Sequence, residues 1–448
     1  MIRQFRDDVL QAEFCCNSTD VPLQPFKAED QLQGNKTQSR RRNWFWSHVN
    51  LSLTAPFLPK DFPQSVSSDY ASFQLWDTSQ AICSYIRGML CQNAIMVGVG
   101  VGREAATPLG ALFQFFLRDL VGMLGGIVFA YCQGRGLDTH AKQWRLFADC
   151  INNVGLALEL ASPLFPRHFL AIACLGSVAR SLCGVAAGAT RAALTQHFAL
   201  RRNAADIAAK EGSQETATTL VGMAAGMATT HLVSGSPACA WATFLVLTAL
   251  HVYFNVRAVR SLCLRGLNEP RLEVLAEEYL RSGAVMTPEE AAGRETLLTP
   301  PLQRLLRAAS RRRVVRVRLG APVAEMVEDE SGREALCCRG PEGLAGLHRV
   351  FCRRRCANVV LHRRAGSEAE VLAFLHACAV MTAANSSSSS RDALPAAVRS
   401  AGRVLDEGGE AILRKLRAAG WDLSTASLPS DPWRAEWPDA ADAGTKME

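Results

Sequence analysis

The chain has 448 residues, of which 48% are hydrophobic and 20% are charged, and this length is enough for two or three domains. Its net charge of +7 is modest, and no zinc-finger, RNP or basic-helix pattern accompanies the arginines, so we predict no nucleic-acid partner. Apolar and charged residues are unevenly distributed. The pattern predicts a mainly α-helical chain with a flexible leader over 1–55, a helical domain over 56–265, a helical connector over 266–300 and a small α+β domain over 301–448.

Six apolar helical segments are predicted in the helical domain. They cover 78–101, 108–132, 144–161, 166–199 and the two halves of 216–256. The stretch 216–256 contains no Asp, Glu, Lys or Arg, and it is long enough for two membrane crossings of roughly 20 apolar residues each. Ser234-Gly235-Ser236-Pro237 interrupts it, because Gly suits a helix C-cap and Pro suits the first turn of the next helix. The pattern predicts a multi-helix, membrane-type bundle that ends in a helical hairpin.

Glycines recur four residues apart in four different segments, as the pairs Gly98/Gly102, Gly122/Gly126, Gly184/Gly188 and Gly222/Gly226. This spacing places both glycines of a pair on one helix face, where a second backbone can approach closely. In a soluble helix each glycine would cost about 1 kcal/mol relative to alanine. The pairs therefore favour tight helix packing within a membrane.

Lys and Arg alternate between the loops of the predicted bundle. The turns after the second, fourth and sixth segments are basic, with Arg135, Lys142, Arg145, Arg201, Arg202, Lys210, Arg257, Arg260 and Arg265, whereas those after the first, third and fifth hold little charge. The positive-inside rule then places both termini and the C-terminal domain on the cytosolic-type side of an intracellular membrane. The alternative is a soluble bundle, since Arg118, Glu159 and Arg180 lie within the segments.

The pattern of residues 266–448 predicts the helical connector and the small soluble α+β domain. A short helix over 271–280 precedes a second helix that starts at Thr287-Pro288-Glu289-Glu290, where an N-cap, a proline and a capping glutamate coincide. Strands are predicted over 311–318, at a sheet edge, and over 335–338, 350–352 and 358–362. Helices over 367–384 and 398–419 flank a serine-rich linker at 386–390, and Trp433 and Trp437 are predicted to dock the tail.

The sequence predicts no enzyme, because none of the common catalytic motifs occurs. Gly-x-Ser-x-Gly and His-Glu-x-x-His are absent, and no Cys/His pairs have zinc-ligand spacing. Gly98-Val99-Gly100-Val101-Gly102 fails the dinucleotide fingerprint, since Arg103 stands where the third glycine belongs. We therefore predict no catalytic residue, no metal and no cofactor.

Two polar clusters at the basic side of the bundle are the candidate ligand site. In the first, which covers 138–153, Arg145, Asp149 and Asn152/Asn153 share a helix face. The second covers 190–215 and includes Arg191. Lys142, Arg145 and Arg191 could together hold a phosphate or carboxylate. The predicted ligand-binding residues are Arg118, Asp119, Lys142, Arg145, Asp149, Asn152, Asn153, Thr190, Arg191, Lys210, Gln214 and Glu215. The alternative is a network of salt bridges between helices that binds no ligand.

Over residues 55–440 the sequence resembles the root UVB sensitive family. The motifs that carry the resemblance are Phe57-Leu58-Pro59, Asp69-Tyr70, Leu75-Trp76-Asp77, Asp119-x-x-Gly122-Met123-Leu124-Gly125, the stretches 141–149 and 188–195, Ser213-Gln214-Glu215-Thr216, Leu267-Asn268-Glu269 and Trp433-Arg434-Ala435-x-Trp437. Gly126 departs from an expected Arg, Glu211-Gly212 replaces Asp-Ser, and Pro270 interrupts Asn-Glu-Gly-Arg. These departures argue against a place for Gly126 or Glu211 in a charged site.

The resemblance implies a non-catalytic membrane protein whose conserved domain has no known biochemical activity. In plants the family is linked to ultraviolet-B responses, auxin transport and vitamin B6 homeostasis, and some members act in plastids. We therefore predict a carrier or scaffold for a small anionic solute such as a B6 vitamer, with the lipid bilayer and other family members as partners. The alternative is a soluble or peripheral helical module that regulates a pyridoxal-phosphate enzyme.

Overall fold

The computed structural model of the chain describes residues 2–6, 9–14, 55–101, 107–133, 137, 139–299, 302, 316–328, 343–353, 356–386, 409–424 and 426–436. The chain divides into two units, Met1–Leu58 and Pro59–Glu448. In the first unit, β1 (Ile2–Arg6) pairs antiparallel with β2 (Val9–Phe14), with an irregularity in register between Gln4 and Phe5. Part of the predicted flexible leader is therefore a β-hairpin, and residues 15–54 of it lie outside the described residues.

Six long helices form the first part of the second unit, as predicted. They are α1 (Tyr70–Val99), α2 (Pro108–Gln133), α3 (Ala141–Ala161), α4 (Phe169–Phe198), α5 (Ala204–Val233) and α6 (Pro237–Ser261). Helix α1 begins well before the predicted start at residue 78, because Tyr70 and Phe73 are buried against Phe198 and Ile207 of α4 and α5. Helix α5 likewise begins early, at Ala204, and so includes the polar stretch 204–215, which was predicted to be a loop.

Helix α1 is the centre of the bundle, since it packs against α3, α5 and α6, while α2 packs against α4 and α4 against α3. Two glycine pairs make these contacts close, as predicted. A Cβ at Gly222 would lie 2.6 Å from Cβ of Tyr85, and one at Gly126 would overlap the Ser181 hydroxyl. The prediction is wrong for Gly184 and Gly188, because a Cβ at either would meet no atom within 4 Å.

The outer surface of the bundle is apolar. Helices α1, α2, α4 and α6 are long and apolar enough to cross a membrane, and between 11% and 33% of their most apolar windows is buried. Helix α2 is the most exposed, with outward side chains that include Leu112, Phe113, Phe116, Met123, Ile127 and Tyr131. Helices α3 and α5, which carry more charged residues, do not meet the same criterion.

The C-terminal region combines helices with a small sheet. Its elements are α7 (Glu269–Ser282), α8 (Pro288–Arg294), β3 (Arg316–Leu319), α9 (Val323–Glu328), β4 (His348–Arg353), β5 (Cys356–Leu361), α10 (Ser367–Ser386) and α11 (Gly409–Ala418). The strand order is β3-β5-β4, with β3 parallel and β4 antiparallel to β5, so β3 is an edge strand as predicted. The predicted strand at 335–338, the linker after Ser386 and the start of the last helix lie outside the described residues.

The core of this region joins the sheet to the predicted connector. Leu272 and Leu275 of α7 belong to the same buried cluster as Val359 of β5, Leu372 of α10 and Trp421. The predicted capping box at the start of α8 is confirmed, since the Thr287 hydroxyl accepts from the Glu290 N–H and the Glu290 carboxylate accepts from the Thr287 N–H.

The tail docks on the sheet through its backbone. The Asp431 N–H donates to the Leu319 carbonyl, and the Ala435 N–H donates to the Leu361 carbonyl, both at 2.9 Å. Trp433 is 58% exposed, so the prediction that its side chain docks the tail is wrong. Unpaired backbone N–H and C=O groups of the sheet need hydrogen-bond partners, and the backbone of the tail supplies them. Trp437 lies outside the described part of the chain.

Candidate functional site

A polar cavity of about 320 Å³ opens between α1, α4 and α5, with one side chain contributed by α3. It is lined by Gln74, Asp77, Thr78, Gln80, Ala81, Tyr85, Arg145, Gly184, Ala187, Gly188, Arg191, Glu211, Gln214, Glu215 and Thr218. Four predicted ligand-binding residues meet here, namely Arg145, Arg191, Gln214 and Glu215. The two polar clusters of the sequence therefore converge in part, although 46 positions separate the two arginines along the chain.

Small side chains on α4 leave the space for this cavity. Gly184, Ala187 and Gly188 line one wall, and neither glycine contacts a neighbouring helix at its Cβ position. The cavity continues into a more open groove of about 420 Å³ between α4 and α5, which shares Gly188, Arg191 and Glu211 with it. The glycine pair at 184/188 thus widens a cavity, whereas the pair at 222/226 packs α5 onto α1.

Both arginines of the lining are neutralised by carboxylates of this chain. Arg145 Nη2 lies 2.7 Å from Asp77 Oδ1, and Arg191 Nη1 lies 2.7 Å from Glu215 Oε2. Glu211 is buried, and it accepts hydrogen bonds from the Thr195 hydroxyl (3.1 Å) and the Gln74 amide (3.0 Å). Among the lining residues, three carboxylates therefore face two guanidinium groups.

A network of buried polar side chains lies next to the cavity. Asp149 accepts a hydrogen bond from the Asn255 amide, and its carboxylate oxygens lie 3.9 Å from Arg145 Nε and 4.0 Å from His251 Nε2. The fully buried Arg87 donates to Asn153 Oδ1 at 2.6 Å. These contacts join α1, α3 and α6, so the network fixes the helices that hold the Arg145 guanidinium.

The same network continues along α3 until it meets an apolar layer. Arg87 also donates to the Thr248 hydroxyl at 3.0 Å, and the Asn152 amide donates to Ser84 Oγ at 3.3 Å. One turn further along α3, Cys91, Leu156, Leu160 and Phe244 form a buried apolar cluster. The Arg87–Asn153 network thus meets an apolar cluster here, and Glu159 in the same turn of α3 is buried in a separate pair with Arg180.

Five of the predicted residues lie away from the cavity. Lys142 is fully buried and lies 3.0 Å from Glu295 Oε2, beneath α8. Arg118 and Asp119 pair with each other at 2.9 Å on α2. The Thr190 hydroxyl donates to the Ala186 carbonyl of its own helix, and Lys210 lies half-buried on α5 outside the lining. The structure therefore divides the predicted set among the cavity, the adjacent network and separate places.

Several polar residues of the cavity and the network were missed by the sequence analysis. On α1, Gln74, Asp77, Gln80, Ser84 and Arg87 recur every three or four residues within an otherwise apolar helix. That spacing puts them on one face and is a signal the sequence does carry. Their partners Thr248, His251 and Asn255 on α6 repeat the same spacing in an apolar helix, so the sequence carried a signal there as well. Glu211, which the family pattern argued against, lines the cavity.

Comparisons with known proteins agree on one family. Residues 43–283 match the model of the vitamin B6 photo-protection and homoeostasis domain, and residues 284–437 match the model of the C-terminal part of root UVB sensitive proteins. The cavity lies within the first of these regions. Neither model describes an enzymatic reaction.

Individual relatives show the same likeness over different lengths. The chain is 41% identical over 398 residues to Protein root UVB sensitive 3 of Arabidopsis thaliana, and the match covers 88% of each of the two chains. It is 44% identical over 246 residues to RUS family member 1 of Dictyostelium discoideum, covering 54% of this chain and 47% of that protein. It is 29% identical over 255 residues to the Arabidopsis Protein root UVB sensitive 2, chloroplastic. No solved structure matches the chain.

Proposed function

Because the chain belongs to the root UVB sensitive family, we propose that it is a non-enzymatic membrane protein that binds a small polar solute in the bundle cavity. The observation that carries this proposal is a polar cavity of about 320 Å³ inside a bundle whose outer surface is apolar. That volume lies in the range of small-molecule sites, which span roughly 300–1,000 Å³. The protein then acts as a carrier or scaffold for the solute.

The membrane part of the proposal is supported by the distribution of polar groups. A soluble protein rarely exposes a large contiguous apolar surface, whereas the outward side chains of α2 and α6 are almost all apolar. In a bilayer, ionisable residues are expected to face the bundle interior and to be paired. Arg87, Arg145 and Asp149 satisfy both conditions, and Arg118 on α2 pairs with its neighbour Asp119.

The proposed orientation places both termini and the C-terminal region on the cytosolic-type side of an intracellular membrane. It is supported by the packing of that region. Asn268 donates to the Thr139 carbonyl in the α2–α3 turn, and Thr139 also bonds to Ser427. These contacts join the C-terminal region to one of the basic turns, as an even number of crossings requires.

A B6 vitamer is the first solute to test, because the matching domain is described by vitamin B6 photo-protection and homoeostasis. Gly188→Leu should narrow the cavity, since Gly188 lines it and a Cβ at this position would meet no atom within 4 Å. We expect the purified full-length protein in detergent to bind radiolabelled pyridoxine in equilibrium dialysis, and the variant to lose at least about tenfold in affinity, because the cavity is then narrower.

Gly88→Leu is the matched control, since Gly88 also has no atom within 4 Å of its Cβ position and does not line the cavity. It should bind pyridoxine like the unaltered protein. Equal binding by the Gly188→Leu variant would contradict the cavity as the binding site. Uptake of pyridoxine into proteoliposomes then separates a carrier from a scaffold, because a scaffold binds the solute without moving it.

A further inference from the structure

The charge balance of the cavity differs from the one that the sequence suggested. An anion would have to displace Asp77 from Arg145 or Glu215 from Arg191, and each of these pairs is only 2.7 Å long. Lys142, the third cation of the predicted anion site, is held by Glu295 elsewhere in the molecule. The basic groups of this region are therefore already paired within the chain.

Glu211 differs from these ion-paired groups. Among the residues that line the cavity, it is a carboxylate with no basic group within ion-pair distance, and it is only 7% exposed. Its two oxygens accept one hydrogen bond each, from Thr195 and from Gln74, which are both neutral donors. A carboxylate can accept about four hydrogen bonds, so Glu211 retains capacity for a donor that enters the cavity.

Gln80 supplies a second acceptor in the same lining. Its amide nitrogen donates to Asp77 Oδ1 at 3.2 Å, while its Oε1 atom is buried without a hydrogen-bond partner. Gln80 is only 6% exposed. Buried carbonyl oxygens in native proteins are normally paired, so the unpaired Oε1 atom of this lining residue marks a position where a donor is missing. Glu211 can thus accept a further donor, and Gln80 Oε1 lacks one.

We propose that the solute of this cavity carries a protonated amine that pairs with Glu211, an inference that rests on the solute-binding function proposed above. The ammonium group would supply the missing positive charge, and its other N–H groups or a ligand hydroxyl would donate to Gln80 Oε1. Charge-assisted hydrogen bonds of this kind are stronger than neutral ones. Among B6 vitamers, the amine pyridoxamine fits this chemistry better than the alcohol pyridoxine, and both fit better than a phosphorylated form.

The test compares three probes on the full-length protein in detergent at neutral pH: pyridoxamine, pyridoxine and pyridoxine 5′-phosphate. The last is the anionic probe because it has no aldehyde that could react with lysines. Equilibrium dialysis should show pyridoxamine binding at least about tenfold more tightly than pyridoxine 5′-phosphate, the ratio expected for one charge-assisted contact. Glu211→Gln should lower pyridoxamine affinity by about tenfold and leave pyridoxine binding nearly unchanged.

Two further variants keep the test independent of folding. Glu211→Asp retains the charge and should retain the preference for the amine. Glu215 lies on the same helix as Glu211, at a more exposed position, and it pairs with Arg191. Glu215→Gln removes that partner of Arg191 and should raise the affinity for pyridoxine 5′-phosphate. If the phosphate form binds most tightly, or if Glu211→Gln leaves the ratio of pyridoxamine to pyridoxine affinity unchanged, the amine inference is overturned. Binding of none of the three probes would overturn the solute-binding function itself, and with it this inference.

Discussion

Glu295 holds the junction between the helical bundle and the C-terminal region. Its carboxylate lies 3.0 Å from Lys142 Nζ and 3.2 Å from the Arg271 guanidinium, and it accepts a hydrogen bond from the Gln143 amide at 3.1 Å. Burial raises the pKa of Glu295, but Arg271 and Lys142 outweigh this effect and hold the pKa below its ordinary value of 4.5. The ionised carboxylate is therefore the form that stabilises the junction.

Glu295→Gln should lower the free energy of unfolding at neutral pH by about 3–5 kcal/mol, because it leaves two buried cations without their partner. A carboxylate whose pKa is lower in the folded protein stabilises it above the unfolded pKa, and this contribution is lost as pH falls through the folded pKa. The difference between variant and unaltered protein should therefore shrink below pH 4.5. Denaturant unfolding of the detergent-solubilised protein at several pH values measures it.

Glu289→Gln on the exposed side of α8 is the matched control for that experiment, and it should change stability by less than about 0.5 kcal/mol. A Glu295→Gln variant as stable as this control at neutral pH would show that the junction does not depend on the buried charges.

Single residues of the site show what sequence reasoning can reach. Arg145 and Arg191 could be proposed because basic residues near the bundle end suit a ligand, and both line the cavity. Lys142 was assigned to the same site, yet its partner Glu295 is far away in the sequence, and no local pattern reveals that pairing. Glu211 was set aside on a departure from the family pattern, and only its place in the fold shows that it lines the cavity.

At the scale of the helices, α5 packs on α1 through glycines. A Cβ at Gly222 would lie 2.6 Å from Cβ of Tyr85, an atom fixed to the α1 backbone. Gly222→Ala should therefore destabilise the bundle by about 1–3 kcal/mol through overpacking, despite the higher helix propensity of alanine. The measurement is the thermal unfolding midpoint of the purified variant in detergent.

Gly212 on the same helix provides the control, since nothing lies within 4 Å of its Cβ position. Gly212→Ala should be neutral or stabilising by up to about 1 kcal/mol, because only the helix propensity changes. Equal midpoints for the two variants would refute close packing between α1 and α5.

The number of helices in the bundle could be predicted from the sequence, whereas their limits could not. The apolar segments and the Ser234-Gly235-Ser236-Pro237 break indicate six helices, and six are present. The polar ends of α1 and α5 were missed, because Gln74, Asp77 and Glu211 face the cavity rather than solvent. Glycine spacing alone also could not distinguish a packed face from a cavity wall, as Gly184 and Gly188 show.

At the scale of the whole molecule, the bundle encloses a polar cavity and a polar network, and many apolar side chains lie on its outside. The mainly helical fold and the small C-terminal sheet follow from sequence periodicity, which predicted both. The parallel pairing of β3 with β5 and the packing of α7 against α10 did not follow, because both depend on contacts between segments distant in sequence. An apolar exterior around a polar cavity is the arrangement from which the proposed membrane function derives.

Extraction of cell membranes with alkaline carbonate tests that function most directly, because it releases peripheral proteins and leaves lipid-spanning ones in the pellet. The full-length chain should stay in the pellet together with a known integral protein, and detergent should release it. Retention would show that at least one helix of the bundle crosses the bilayer, for which α1, α2, α4 and α6 are the candidates by length and composition. Release of the chain by carbonate, together with a peripheral marker, would contradict a membrane-embedded bundle.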